Sequence, residues 1–546
     1  MRTAILISLF FLFPLYSTRA QSPLLDQSFA GNGLLVYSAD YYDEAAALLA
    51  LPDTSVIFAF ASDDSSIYSE DVIVDKLLPG GSPDLTFANN GRLRFDFAGF
   101  TRSKPLSMVL AGDTVIYLLG QGRDSADQNR AFCIRAFRPD GSSCNWFGQS
   151  GETGFTFLST SDLAYSIGLQ QDGKLLVCGM TFVNNNLAQE LPCLARLLPD
   201  GTPDSSFGGT GKIAIDFLLG ITNARITPET PVHAYGGYFE DVTELPDGRI
   251  LCGGAFNNGF YYEGALFMLN GNGTADSSFN GTGLMRFDFH PGEIQSIAQV
   301  LVSADSNWIA LQNNAGSLPT DFDLITVTHI NHTYAVDAFD LQNGFDHGHA
   351  MCLDSYGRLW VTGNSTAPVN FTPYYFSDEA FAYCLKPSGG TWIAENSFNG
   401  SGHFNFAFDS TQNRQNGGRT IAIDIAGRPV IAGSVYNPGN SVNSFDVALA
   451  RLDSLAFVSG IAGDPVRNKP SVYPNPAAGF VQLDGLQDIL SVTLLTISGQ
   501  KIREEILAPS TRRTALNLTG IESGIYFLQF RGKTGNYSVK LIVTGP

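Results

Sequence analysis

Apolar and polar residues alternate with a period of two along most of this chain, in short runs cut by Gly, Pro, Asp and Ser. Leu34–Ser38, Ala45–Leu51, Ser55–Ala61 and Asp71–Leu78 are four such runs in succession. Alternation of this kind describes half-buried strands. Asp-Gly pairs stand between apolar runs at Asp172-Gly173 and Asp247-Gly248. Both central residues of a type I′ hairpin turn need positive φ, which Asp-Gly supplies at low cost. The pattern predicts antiparallel strands joined by tight turns, four to a block.

The blocks repeat. An Asp-x-Ser-Phe phrase followed by a Gly-rich turn occurs at Asp26–Phe29, Asp84–Phe87, Asn145–Phe147, Asp204–Phe207 and Asp276–Phe279, with looser copies at Asp337–Phe339, Glu395–Phe398 and Phe457. Its phenylalanines are spaced 58, 60, 60, 72, 60, 59 and 59 residues apart. A turn-then-strand phrase keeps the same phase at Asp53, Asp113, Asp172, Asp247, Asp305, Tyr356 and Ala426. A four-stranded block has two apolar faces that only neighbouring blocks can cover, and a closed ring leaves no end block exposed. The prediction is an all-β chain: a seven-bladed β-propeller over residues 21–457, then a small Ig-like β-sandwich. A superhelical solenoid fits sixty-residue antiparallel blocks less well. The phrases resemble the delta-60 repeat, matched best by Asp162–Gly179 joined to Ala195–Phe207. The resemblance spans roughly residues 25–457, with units five and six departing from it. It implies a propeller and no defined activity.

The two ends read differently. Arg2, the apolar run Ala4–Tyr16 and the small residues Thr18 and Ala20 predict a signal peptide over residues 1–20. That run is short for a membrane span and no later one reaches its length, so no transmembrane anchor is expected. Residues 458–470 form a Gly/Pro/Asp/Arg linker, and residues 471–546 carry their own strand pattern. Strands are expected there at Phe480–Leu483, Ser491–Ser498, Arg513–Leu518, Gly524–Arg531 and Asn536–Val543. The tail opens on Tyr473-Pro474-Asn475-Pro476 and closes on Gly524, Tyr526 and Lys540. Throughout its length it resembles the type A sorting domain of the Bacteroidetes type IX secretion system. That resemblance implies the type IX machinery as partner. It also implies passage through the periplasm, and release or attachment at the outer cell surface.

Charge and chemistry then narrow the function. A formal charge of −20 opposes binding to nucleic acid. Of the seven cysteines, Cys178 and Cys252 share one repeat place and Cys133, Cys193 and Cys384 another, so pairing within each set is not expected and small buried hydrophobes are the preferred reading. No phosphate loop, zinc signature or nucleophile elbow is present, so no catalytic or cofactor-binding residue is assigned. His347 and His349 could form a metal or catalytic cluster, but a solvent-facing loop is the preferred reading, with Asp346 as a repeat position. Asp26, Asp84, Asp204 and Asp276 are expected to cap local turns while each Phe plugs a core between blades. Asp96, Asp216 and Asp288 each lie nine residues after their repeat phenylalanine. On innermost strands they would line the central channel, and a cation such as Ca²⁺ is the residual reading for them; structural positions are preferred. Tyr261-Tyr262 and Phe371–Phe376 could stack on sugars, though plain loop packing is the preferred reading, and the insertion near Leu218–Val242 lengthens one unit. The preferred function is a binding module for an extracellular glycan or protein. The alternatives are a hydrolase or lyase acting on polysaccharide in the propeller mouth and a purely structural surface protein.

Overall fold

Tight turns fix the strand pairing. A computed structural model describes residues 24–543 apart from 40–41, 64–69, 127–128, 184–185, 187–189, 217–220, 223–235, 316–321, 340–344, 367–377, 409–415, 438–443, 454–470, 474–476, 478, 487–488, 497–500, 509–510, 522 and 533–535. Six of the seven landmark turns place a positive-φ residue one position after the landmark: Thr54, Gly173, Gly248, Ser306, Gly357 and Gly427. Asp172 and Asp247 do not share that positive φ, so these are three-residue loops ending on a left-handed residue and not the type I′ turns expected. All described elements are strands.

Residues up to Val458 form one compact unit, in which seven sheets of four or five antiparallel strands are described. The first runs from an inner strand, Tyr42–Ala50, through Val56–Asp63 and Asp71–Leu77 to an outer strand, Arg92–Phe95. The inner strands of the next six are Arg102–Ala111, Leu163–Leu169, Tyr238–Glu244, Ile294–Val302, Phe345–Leu353 and Asn416–Ile423. Each inner strand packs on the blade before it, and Tyr42–Ala50 packs on the seventh blade, so the ring closes. Seven apolar cores result, each shared by two neighbouring blades.

Closure mixes the two ends of this unit. Leu34–Tyr37 pairs with Ser444–Arg451, Leu34 opposite Ala450, and becomes the outer strand of the seventh blade. Arg451, 1% exposed, donates from Nε to Asp26 Oδ2 at 2.8 Å and from Nη1 to the Pro79 carbonyl at 2.6 Å. Its guanidinium also lies 4.7 Å from the Phe29 ring. The four runs read above as one block therefore belong to two blades: the repeat begins with the outer strand of the preceding sheet.

The Asp-x-Ser-Phe phrase occupies the loop between the third and outer strands. Phe29, Phe87, Phe147, Phe207, Phe279 and Phe398 are all buried, each in a core between two blades. Phe339 is a correction. It lies in the outer strand Tyr334–Phe339, stacked on Phe322 at 5.5 Å, because the fifth blade joins its last two strands by a short turn over 328–333. Phe457 lies outside the described residues. The seven thiols are free. Cys178 and Cys252 share one core, since equivalent strands of adjacent blades face each other.

The second unit spans Ser459–Pro546. It forms a β-sandwich: one sheet of Ser471–Tyr473, Phe480–Asp484 and Arg513–Asn517, another of Lys501–Ile506, Ile489–Thr496, Gly524–Gly532 and Asn536–Val543. Val481, Leu483 and Leu516 of the first meet Val492, Leu494, Leu528, Phe530 and Leu541 of the second in one core. Two strands, Ser471–Tyr473 and Lys501–Ile506, go beyond the five expected.

Candidate binding site in the central channel

Every inner strand carries one β-bulge at the same place. Pairing with the second strand slips between Ala45 and Ala47, Pro105 and Ser107, Ala164 and Ser166, Phe239 and Asp241, Ile297 and Gln299, Gly348 and Ala350, and Gly418 and Thr420. An extra residue leaves the ladder at a bulge and its side chain is re-aimed. The seven extra residues are Ala46, Leu106, Tyr165, Glu240, Ala298, His349 and Arg419, and all of them line one cavity of about 370 Å³. A cavity walled by all seven inner strands is the channel of the ring.

Polarity around this ring is segregated. Tyr165 and Glu240 come from adjacent blades on one arc, and His349 and Arg419 from adjacent blades on another. Ala46, Leu106 and Ala298 separate the arcs and leave space. On the acidic arc Ser296 Oγ donates to Glu240 Oε2. Asp241 accepts from Ser166 Oγ at 2.7 Å and from the Val300 amide at 2.9 Å, tying the third, fourth and fifth blades together. Burial pushes the Glu240 carboxyl up to about 7, with repulsion from Asp241 adding to it against the Ser296 hydrogen bond. Burial likewise raises Asp241 to about 6, despite its hydrogen bonds. Near neutral pH Glu240 is therefore poised between proton donor and acceptor.

The basic arc is charged by Arg419 alone. His349 Nε2 lies 2.7 Å from Asn364 Oδ1 and 3.4 Å from Arg419 Nη1. Burial, then the Arg419 charge and His347, hold the His349 imidazole down at about 3, so it is neutral. His347 is lowered by burial and Arg419 as well. A second cavity of about 250 Å³ shares His349 and Arg419 with the channel and adds Tyr42, Glu44 and Phe445.

Aromatic rings extend the acidic arc. Tyr165 stacks on Tyr238 at 5.5 Å and 29°, and Tyr238 meets Tyr262 at 5.7 Å. Tyr262 Oη donates to the Glu190 carboxylate, 2.7 and 2.8 Å from its two oxygens, and Asn257 Nδ2 donates to Oε1 at 3.1 Å. All three tyrosines are half-buried. They offer apolar ring surface beside carboxylates.

The residues singled out from sequence fall elsewhere or in other roles. Asp96, Asp216 and Asp288 stand at or just past the ends of the fourth strands of their sheets, three strands from the inner one, and not on innermost strands. The reason is the phase of the repeat, whose first strand is an outer one. Asp96 and Asp288 are exposed and Asp216 is buried; Asp288 accepts from Tyr261 Oη at 2.9 Å and Gln295 Nε2 at 2.8 Å. Among the described residues no group of three or more His, Cys, Asp or Glu is arranged to hold a metal ion. His347 and His349 correct the loop reading: both lie on the sixth inner strand, and the bulge turns His349 into the channel. The phrase aspartates cap turns. Asp204 Oδ1 accepts from the Ser206 amide at 3.0 Å and its hydroxyl at 2.6 Å, while Arg196 Nε donates to Oδ2 at 2.8 Å. Burial raises this carboxyl, but Ser206 and Arg196 outweigh it and hold it at about 2. Tyr262 joins the tyrosine row. Residues 371–376 and most of the insertion before Tyr238 lie outside the described residues. In the tail Gly524 and Tyr526 share one strand, Lys540 is on its neighbour, Tyr473 ends another, and 474–476 lie outside the described residues.

Sequence reasoning passed over Tyr165, Glu240, Asp241 and Arg419. A signal was present: each bulged residue stands seven positions before its landmark turn, from Ala46 before Asp53 to Arg419 before Ala426. The offset is constant and the residue type is not, so a search for shared letters misses it.

Comparison with known families places both regions. The secretion system C-terminal sorting domain matches residues 471–544. A β-propeller domain of unknown function, DUF5122, matches residues 170–207 and 245–279. No curated protein matches the chain. Among solved structures, the α-L-arabinofuranosidase Arb93A from Fusarium graminearum is 11% identical, with a TM-score of 0.36 over 77% of this chain and 98% of that one. The phage phi92 endosialidase is 10% identical, with a TM-score of 0.37 over 93% and 87%. The PQQ-bound aldose sugar dehydrogenase from Streptomyces coelicolor is 12% identical, with a TM-score of 0.34 over 64% and 97%. Overlaps this loose carry no substrate across. No helix among the described residues is long and apolar enough to cross a membrane. The chain is a β-propeller protein with a type IX secretion system C-terminal sorting domain, which directs it to the cell surface or extracellular space.

Proposed function

We propose that this exported propeller is a glycan-binding module whose site is the channel and the tyrosine row beside it. In this reading residues 1–20 are removed, residues 21–457 bind, residues 458–470 link, and residues 471–546 engage the secretion machinery. One observation carries it: Tyr165, Tyr238 and Tyr262 form a half-buried run of rings next to the carboxylates Glu190 and Glu240. Aromatic faces take the apolar side of a sugar ring, and carboxylates accept hydrogen bonds from its hydroxyls. Arg419, across the channel, suits an acidic substituent. The test is titration of the full chain with neutral and uronate-bearing oligosaccharides. Tyr165→Ala should weaken binding at least tenfold with folding intact. Absence of binding across the panel, or binding indifferent to Tyr165→Ala, overturns the reading.

A second reading rests on Glu240. A carboxyl held near pH 7 in a partly enclosed cavity has the acidity a general acid needs. If the propeller cleaves a polysaccharide, Glu240→Gln abolishes turnover and leaves binding in place. Turnover that survives this substitution excludes Glu240 as the acid.

A further inference from the structure

Six of the seven interfaces between blades are sealed by a phenylalanine of the Asp-x-Ser-Phe loop, and the receiving turn of the next blade closes on it. A Cβ added at Gly81 would come within 3.1 Å of the Phe29 ring, at Gly201 within 2.9 Å of Phe147, and at Gly273 within 2.9 Å of Phe207. The residue after the phenylalanine donates its amide to the same turn: Ala30 to Gly80 at 2.8 Å, Ala88 to Asp140 at 2.8 Å, Gly148 to Asp200 at 2.7 Å and Gly208 to Asn272 at 3.0 Å. The plugs at Phe29, Phe147 and Phe207 are thus short loops gripped by both ring and backbone, and the one at Phe87 is held by its backbone.

The interface between the fifth and sixth blades has no such plug, because the fifth blade crosses to its outer strand by a short turn. A cavity of about 510 Å³ opens there, between Ala304 and Thr326 of the fifth blade and Tyr356, Gly390 and Trp392 of the sixth. Gly389 and Gly390, in the matching turn of the sixth blade, would meet nothing within 4 Å on gaining a Cβ. Trp392 gives the cavity a buried apolar wall, and Tyr356, 77% exposed, extends it at the rim. Thr326, 6% exposed, stands at the strand position that Arg196 and Arg451 hold in their blades, where they bind the plug's Asp and Ser. Its buried hydroxyl has no hydrogen-bond partner among the described residues. A buried polar group left unmatched marks a place where a partner is expected.

We propose that this cavity is a docking pocket for a phenylalanine-bearing turn of another protein, entering as the chain's own plugs enter the other six interfaces. The occupant's chemistry follows from those sites: an aromatic ring between the blades, and a following backbone amide offered to the carbonyls of the turn at Gly389-Gly390. An aromatic anchor filling a preformed apolar pocket is the usual centre of a protein interface. The pocket lies at the hairpin-turn ends of the inner strands and shares no lining residue with the channel, so it is independent of the glycan reading.

The test uses the full chain and a synthetic peptide copying residues 203–211, the plug of the third blade. Saturable binding is expected, at least tenfold weaker when the peptide's phenylalanine is replaced by alanine. Ala304→Trp and Ser355→Trp alter exposed rim positions and should each abolish binding with an unchanged melting temperature. Using both keeps the test decisive if one fails to fold. Thr326→Val should weaken binding several-fold. No saturable binding overturns the proposal. So does binding indifferent to the peptide's phenylalanine or to both rim substitutions, or capture of a monosaccharide at this cavity in place of the peptide.

Discussion

The plug and the bulge recur through the ring with opposite tolerance. At six interfaces the plug is the same residue, phenylalanine, whereas the seven bulged residues are Ala, Leu, Tyr, Glu, Ala, His and Arg. Their surroundings explain the contrast. A plug lies in a filled apolar core, and at Gly81, Gly141, Gly201 and Gly273 the turn against it has no room for a Cβ, so ring shape and volume are dictated. A bulged residue faces an open cavity held by backbone pairing alone, so any side chain is sterically admissible. Uniform positions in this ring hold the fold, and variable positions at a uniform offset hold the chemistry.

Substitutions at the two kinds of position should separate sharply. The largest effects belong to the plugs, with closure next. Phe207→Ala empties a core between blades and should cost about 3–5 kcal/mol in denaturant unfolding. Arg451→Ala removes the donor to the Pro79 carbonyl and one of two arginines on Asp26, leaving Arg428 Nη1 on Oδ2 at 2.9 Å, and should cost about 1–3 kcal/mol. Asp204→Ala removes a turn cap and the partner of Arg196, an intermediate loss of about 1–3 kcal/mol.

The charged bulge residues act through pH. Folded Glu240 keeps its proton up to about pH 7, whereas the unfolded chain releases it near the ordinary 4.5. The fold therefore loses stability as pH rises through that window, and Glu240→Gln should flatten the slope and stabilise the protein at pH 8. His349 works in the other direction. It stays neutral to about pH 3 in the fold and protonates near 6.5 when unfolded, so stability falls as pH drops below 6.5. A His349→Gln variant should melt higher than the parent at pH 4.5. The smallest change is expected at Arg419, which is exposed in the channel: Arg419→Ala should alter stability by less than about 0.5 kcal/mol while weakening binding of an acidic glycan. A large loss of stability there would break the division between framework and site.

Much of the architecture was open to reading from residues. Recurrent Asp-x-Ser-Phe phrases and turn landmarks identified the repeat, the strands and the buried plugs, since local patterns of volume and φ suffice for these. The phase of strands relative to blades was hidden. Which block supplies an outer strand is a matter of long-range pairing, and Leu34–Tyr37 finds its partner more than four hundred residues away in Ser444–Arg451. The same phase decides that Asp96, Asp216 and Asp288, for which structural positions are preferred, stand away from the inner strands on which they would have lined the channel.

The chain's own letters decided that it is exported, all-β and built of repeated four-stranded blocks, because export signals, alternation and turn chemistry are local properties. Only the tertiary structure decided which side chains share a cavity. Tyr165, Glu240, His349 and Arg419 span 254 residues of sequence and come together because seven bulges, each unremarkable alone, point toward one axis. The gap between the fifth and sixth blades has the same origin, for a missing plug leaves a cavity only where neighbours have already fixed the walls.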